Sequence, residues 1–255
     1  MPLQIKRRSC VNLLKISFMK AMILAAGLGT RLLPLTETKP KALVEINGKT
    51  LLEICIDNLK KNGFNEVVVN VHHHAQQVIE FLSKRDFGVK LFISDESDRL
   101  LDTGGALVHA RKFLDDNQPF LVHNVDIISD IDLKRLYTLH MDTSAIATLA
   151  VSKRESLRVF LFNNDMVLSG WRNMLTGKSI ITRQENELVA YAFSGIHVIS
   201  PEIFNFLPAT GEFSIVDAYL KISTSSEIKG VDLSKNKVID VGKPQSLEQA
   251  ASFLS

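Results

Sequence analysis

The sequence predicts an α/β protein whose sheet is largely parallel and gains antiparallel strands in its second half. Three observations carry that expectation. From Met22 to Val151, short apolar runs alternate with helical patterns of about ten residues, the order of parallel strands joined by right-handed crossovers. The first apolar run stops at Gly27-Leu28-Gly29, a glycine turn directly after the first strand. Beyond Val151, Val159–Phe162, Val167–Leu168 and Ala192–Ile199 read as strands joined by turns such as Asn163-Asn164-Asp165, which makes the sheet mixed.

In order, Met22 to Ala26 predicts a buried strand feeding the glycine turn. Asn47-Gly48 marks a turn, and Thr50-Leu51-Leu52-Glu53 is a capping box opening a helix to about Asn62, with Gly63 beyond its end. Val67 to Val71 predicts a strand, Ala75 to Ser83 a helix, Lys90 to Ser94 a strand and Thr103 to Phe113 a helix. Phe120 to Val122 follows as a strand, then a helix from Asp132 (as cap) to His140, then a strand from Ala145 to Val151. Short helices are expected at Pro201–Phe206 and Ser214–Ile222, a last strand at Lys237–Val241, and a terminal helix from about Leu247.

The chain has 255 residues, the upper end of what one α/β domain usually holds. Its 45% hydrophobic and 23% charged residues are ordinary for a soluble protein, and a net charge of +2 offers no electrostatic reason for nucleic acid or an acidic membrane as partner. Two cysteines, Cys10 and Cys55, are too few for a disulfide framework or a cysteine-rich metal site, which points to a reducing, cytoplasmic location. No apolar run reaches the length of a membrane span. Residues 1–18 are basic and moderately apolar, but Lys15 interrupts the apolar stretch and a clear small-residue cleavage site is lacking. They read as a poorly ordered upstream extension, with Met19 as the start of a single domain over residues 19–255.

In an open parallel sheet, ligands bind at the carboxyl ends of strands near a topological switch point. Gly27-Leu28-Gly29-Thr30 is placed there, and its glycines let backbone N–H groups approach an anion closely. Leu32 stands where a dinucleotide fingerprint has its third glycine, and the loop is not a Walker A sequence, so both of those folds are disfavoured. A tight strand-to-helix turn would explain the glycines alone.

The whole string decides between these readings. LAAGLGTRLLPLT followed by KPKALV closely resembles the N-terminal signature of the sugar-1-phosphate nucleotidyltransferases, nearly continuously from Lys20 to Val44. The resemblance implies a three-layer α/β/α sandwich of the GT-A-like type. It also implies nucleotide contacts from Ala25, Ala26, Gly27, Leu28, Gly29 and Thr30. Arg31 would hold the triphosphate, and Lys41 the transferring phosphate or the sugar phosphate. Leu101-Asp102-Thr103-Gly104-Gly105 is similar to the family's second glycine motif, which places Thr103 and Gly104 at the nucleoside; Glu96 upstream fits that pattern and is assigned to the sugar side. Asn70 and Gln76 occupy places where members of the family often put base-contacting groups.

Phe120 to Asp126 resembles a strand ending in the family's magnesium-binding aspartate, with Val125 in place of a glycine. Asp240, in Ile239-Asp240-Val241-Gly242-Lys243-Pro244, is the implied second carboxylate, with Lys243 where threonine is usual. Asp130 and Asp132 read better as loop and cap residues. On the sugar side the resemblance points to Gly195. Trp171 either stacks on a sugar or fills core, and Asp217 either binds sugar or lies on a helix surface. His72-His73-His74 is a poor zinc site, because neighbours on a strand alternate sides.

The expected reaction is Mg²⁺-dependent transfer from a nucleoside triphosphate, UTP or GTP, to a sugar 1-phosphate. N-acetylmuramate-1-phosphate uridylyltransferases are the most similar members and mannose-1-phosphate guanylyltransferases the runner-up. Val125 and Lys243 keep open a catalytically silent, sugar-nucleotide-binding member, while a cytidylyltransferase acting on phosphocholine is disfavoured by the TGG element.

Overall fold

The computed structural model describes residues 19–255, and the expectation for residues 1–18 lies outside them. In chain order the elements are β1 (Met19–Leu24), β2 (Glu45–Ile46), β3 (Lys49–Thr50), α1 (Leu51–Lys61), β4 (Phe64–Val71), α2 (Ala75–Ser83), β5 (Lys90–Asp95), α3 (Asp102–His109) and α4 (Arg111–Leu114). There follow β6 (Phe120–Asn124), β7 (Ile127–Ser129), α5 (Leu133–Met141), β8 (Ala147–Ser152), β9 (Arg158–Phe162), β10 (Leu168–Asn173) and β11 (Ser179–Ile181). The chain closes with β12 (Val189–Ile199), a 3-10 turn at Pro201–Asn205, α6 (Ile215–Ile222), β13 (Ile228–Asp232), β14 (Val238–Asp240) and α7 (Pro244–Phe253).

The central strands are apolar over most of their length because both of their faces are covered. In β1, Ala21 and Ile23 enter one core with α1, α2, α5 and α7, while Met22 enters a second core with α3, α4 and α6. Val67 and Val69 face the first core and Val68 the second, so the two-residue strand period sorts one apolar run into two layers. Three layers follow, helices on both sides of a mixed sheet.

The parallel strands lie in the order β5-β4-β1-β6, and β12 continues antiparallel to β6. After β1 the chain moves outward through β4 and β5, then returns to place β6 on the other flank of β1. That reversal opens a crevice between the carboxyl ends of β1 and β6. β12 pairs first with β9 and then with β6, bending at a register shift between Phe193 and His197. Gly195 lies in that bend at φ +76°, a backbone conformation that disfavours any side chain.

Local signals hold where their chemistry is strong. Thr50 Oγ1 accepts from Glu53 N–H at 3.1 Å, and Glu53 Oε2 accepts from Thr50 N–H at 2.8 Å, completing the capping box. Asp132 caps α5 through Arg135 N–H at 2.8 Å. The helix expected over Thr103–Phe113 is instead two, α3 and α4, meeting at Ala110. α7 begins three residues before Leu247, at Pro244, where a proline at the first helical position gives up no hydrogen bond. No helix among the described residues is long and apolar enough to cross a membrane.

Candidate active site

A cleft of about 500 Å³ opens at the β1–β6 crevice. Its floor is the loop Ala25–Thr30, with Asn70 and Glu96 on one side and Asn124, Val125 and Asp126 on the other. Leu100, Asp102, Thr103 and Glu212 form a further wall.

The loop is held at both ends, and its middle stays available. Ala25 N–H donates to Asn70 Oδ1 at 2.7 Å, and Thr36 Oγ1 donates to Gly29 C=O at 2.8 Å. Among the described residues, the N–H groups of Ala26, Gly27, Leu28 and Gly29 find no acceptor in the protein. Gly29 has φ +67°, and a Cβ there would lie 2.9 Å from Thr36 Cγ2 and 3.1 Å from Lys41 Cβ. The glycine therefore lets the cationic segment fold back over the loop. Unpaired N–H groups in a glycine turn form an anion-binding concavity.

Arg31 and Lys41 come from short 3-10 turns, Thr30–Leu32 and Lys41–Leu43. Lys41 is buried, and its Nζ pairs with Asp126 Oδ2. Asp126 follows β6, which is hydrogen-bonded to β1 up to the pair Leu24 and Asn124. Asp240 reaches the same edge because β14 pairs with β7, opposing Asp240 to Ile127, and Val241 N–H donates to Asp126 C=O at 2.8 Å. A Cβ on Gly242 would lie 2.7 Å from Asp240 Oδ1 and 2.8 Å from Arg31 Nη2. Arg31 and Asp240, distant in sequence, thus approach each other across Gly242, with Asp126 joined to this edge through the backbone; Arg31, Asp126 and Gly242 line the cleft, whereas Asp240 lies beside its lining.

Two aspartates suit a hard cation that takes few protein ligands and completes its shell with phosphate and water. Among the described residues no group of three or more His, Cys, Asp or Glu side chains is placed to hold a metal ion. Val125 is 5% exposed, lines the cleft and keeps the strand pairing through its N–H to Leu24 C=O at 3.1 Å. Lys243 caps α7 in an extended conformation, outside the cleft lining.

Other residues singled out from the sequence are placed differently. Thr103 lines the cleft, yet its hydroxyl accepts from Ile215 N–H at 3.0 Å. Gly104 faces away: its N–H donates to Phe213 C=O at 2.9 Å, and a Cβ would strike the Phe213 ring at 2.3 Å. This glycine serves close packing of α3 on the segment before α6. Gln76 is exposed on α2 and donates to Glu80 at 3.3 Å, outside the cleft. Trp171 is half-buried on β10 against the second core, and Asp217 is exposed on α6; neither lines the cleft. Gly195 sits beside it, since a Cβ there would lie 2.6 Å from Asn124 Nδ2.

Asn124 and Glu212 line the cleft without having been singled out. Asn124 carried a usable signal, a polar residue ending an apolar strand beside Asp126. Glu212 carried none, because its loop reaches the cleft only through the packing of Phe213 on α3.

Residues 20–160 match the model of the nucleotidyl transferase family. A relative from Caulobacter vibrioides, N-acetylmuramate alpha-1-phosphate uridylyltransferase, is 32% identical over 244 residues, 92% of this chain and 96% of that protein. The chain belongs to the nucleotidyl transferase family. This nucleotidyltransferase is also 40% identical over 139 residues to the mannose-1-phosphate guanylyltransferase catalytic subunit beta of Dictyostelium discoideum, over 54% of this chain and 38% of that protein. Its fold matches HddC from Yersinia pseudotuberculosis, solved in complex with GMP-PN, at a TM-score of 0.75 and 21% identity, over 93% of this chain and all of that one. The last likeness speaks for the fold alone.

Proposed function

We propose that this nucleotidyltransferase moves a uridylyl group from UTP to N-acetylmuramate 1-phosphate, releasing pyrophosphate, with Mg²⁺ held by Asp126 and Asp240. The observation that carries the chemistry is the convergence of Arg31, Lys41, Asp126 and Asp240 beside a loop with free N–H groups. The substrate choice is supported by the relative from Caulobacter, which this chain matches over nearly its whole length.

The attacking sugar-phosphate oxygen is already ionised, so little acid–base work is required. It adds in line to the α-phosphorus, and the bond to the β-phosphate oxygen breaks as pyrophosphate leaves with the electron pair. The main obstacle is repulsion between two polyanions. Each unit pair at 4 Å costs about 4 kcal/mol at an effective dielectric near 20. Backbone N–H groups of Ala26 to Gly29 cradle the triphosphate, Arg31 neutralises charge on the departing pyrophosphate, and Lys41 steadies the phosphate at the reacting end. When bound, the cation supplies further neutralisation of the phosphate oxygens.

A second reading, GTP with mannose 1-phosphate, is favoured by the higher local identity to the Dictyostelium protein. A matrix of nucleoside triphosphates against sugar 1-phosphates, with Mg²⁺ and pyrophosphate readout, separates the two. The expected maximum is UTP with N-acetylmuramate 1-phosphate; a maximum at GTP with mannose 1-phosphate selects the second reading. Absence of pyrophosphate with every pair would leave a silent sugar-nucleotide binder. In the same assay Asp126→Asn should lower turnover by about 10²-fold or more, the scale of losing one preorganised charge contact. Unchanged turnover would remove Asp126 from the reaction.

A further inference from the structure

Lys41 and Asp126 form an ion pair in the lining of the cleft, with side chains only 10% and 16% exposed. Among the described residues neither has a second ionic partner. Cys55 and His123 lie within the field of Asp126, and burial keeps both neutral, pushing the thiol up and the imidazole down to about 4. Lys41 is thus the cation that balances Asp126. Taking it away without a replacement would strand a part-buried carboxylate.

The root of Lys41 is fixed. Leu43 N–H donates to Pro40 C=O at 2.9 Å and Val44 N–H to Lys41 C=O at 3.0 Å, while Gly29 lets Lys41 Cβ lie against the glycine loop. The stem beyond Cβ is flexible. The ammonium can therefore turn from Asp126 to an anion on the loop with no movement of the backbone. The free N–H groups of Ala26 to Gly29 mark where that anion lies.

A triphosphate and a divalent cation make opposite demands on this one charge. The triphosphate attracts the ammonium; the cation needs the carboxylate that the ammonium holds. Two cations sharing one carboxylate repel each other. We propose that Lys41 is the resident counter-ion of Asp126 and gives it up only when a triphosphate draws the ammonium away. Free divalent metal is therefore held poorly, and metal and nucleotide each strengthen the binding of the other. The inference rests on the reading that this cleft holds a nucleoside triphosphate, with a metal at Asp126.

The test uses the full chain, with Mn²⁺ alone as the metal probe (free ion counted by electron paramagnetic resonance). UTP binding in EDTA is measured by calorimetry, and circular dichroism checks folding. Lys41→Met should bind Mn²⁺ about tenfold tighter than wild type or more, the scale of one nearby like charge on an ionic equilibrium. The same variant should bind UTP about tenfold more weakly, having lost a charge-assisted contact. Lys41→Arg keeps the charge and should hold Mn²⁺ to within about threefold of wild type. Adding Asp126→Asn to Lys41→Met should abolish the gain in Mn²⁺ affinity. Should Lys41→Met not fold, Lys41→Gln, which keeps a donor toward Asp126, carries the same expectations.

A structural role for Lys41 predicts weaker binding of both ligands; opposite changes in one variant are the signature of a shared charge. The inference is overturned if the neutral variant gains no Mn²⁺ affinity, if it binds UTP like wild type, or if Lys41→Arg gains as much as Lys41→Met. Each of those results leaves the nucleotidyltransferase reading standing. A gain in Mn²⁺ affinity that survives Asp126→Asn removes the metal from Asp126, and with it both the assignment and this inference. Wild-type protein that binds no UTP removes the cleft reading and the inference together.

Discussion

At the scale of single residues, the site depends on where side chains are absent as much as where they are present. Gly242 separates Arg31 from Asp240, with a Cβ at that position only 2.7 Å from Asp240 Oδ1 and 2.8 Å from Arg31 Nη2. Both near atoms are ends of side chains able to move, so Gly242→Ala should displace the guanidinium rather than unfold the chain. The expected result is a fall in kcat of about ten- to a hundredfold with a melting temperature close to wild type, since small misplacements of a charge clamp are costly to rate. A variant with full kcat would show that Arg31 is not held for catalysis by this contact. Arg31, Lys41 and the glycine loop were legible in the sequence because they lie within one continuous string. Gln76, Trp171 and Asp217 fell outside the cleft, because a residue's type does not say which way its element faces.

At the scale of elements, β12 is where the parallel core gives way to the antiparallel half. Its bend at Gly195 packs against Asn124, the last residue of β6, and Ile127, the first of β7, on either side of Asp126. Gly195→Ala would force a side chain into φ +76° and a Cβ to 2.6 Å from Asn124 Nδ2. A cost of about 1–3 kcal/mol is expected from the backbone alone. In a chain of this size that lowers the melting temperature by a few degrees, about 2–4 °C per kcal/mol. Calorimetric melting checks it; an unchanged melting temperature would mean that the bend relaxes freely. Elements with strong local chemistry, such as α1 with its capping box, were legible in advance. β7 and β11 were not, for they are three residues each and too short to show a period.

At the scale of the molecule, three histidines are buried in a neutral state. His123 and His140 are pushed down to about 4 by burial, and His197 to about 3. His140 is further placed between Thr148 Oγ1 at 2.8 Å and Ser200 Oγ at 2.9 Å. An unfolded chain takes up these protons near pH 6.5, whereas the folded chain resists until about pH 4. Their contribution to stability is therefore complete above pH 6.5 and is lost as pH falls toward 4. Each contributes a slope of about 1.4 kcal/mol per pH unit in that window. Glu96, raised to about 7, acts in the opposite sense between pH 7 and its ordinary value. Three against one leaves acid destabilisation as the net expectation. Urea denaturation at pH 7 and pH 5 should show a lower midpoint at pH 5, and His140→Gln should flatten the difference. Equal midpoints would count against buried neutral histidines.

The sequence by itself determined most of the strands and helices in their order, though not β7, β11 or β13, together with the glycine loop and the family through the string from Lys20 to Val44. These are local properties, carried by periodicity, turn chemistry and a contiguous motif. Only the tertiary structure decided that Asp240 meets Asp126 through β14 and β7, that Gly104 turns to Phe213, and that Asn70 spends its amide on Ala25 and Glu96. The physical reason is that a side chain's hydrogen bonds are settled by whichever partners the sheet order brings within 3 Å. That order joins residues separated by as many as a hundred positions or more along the chain, roughly beyond the reach of any local pattern.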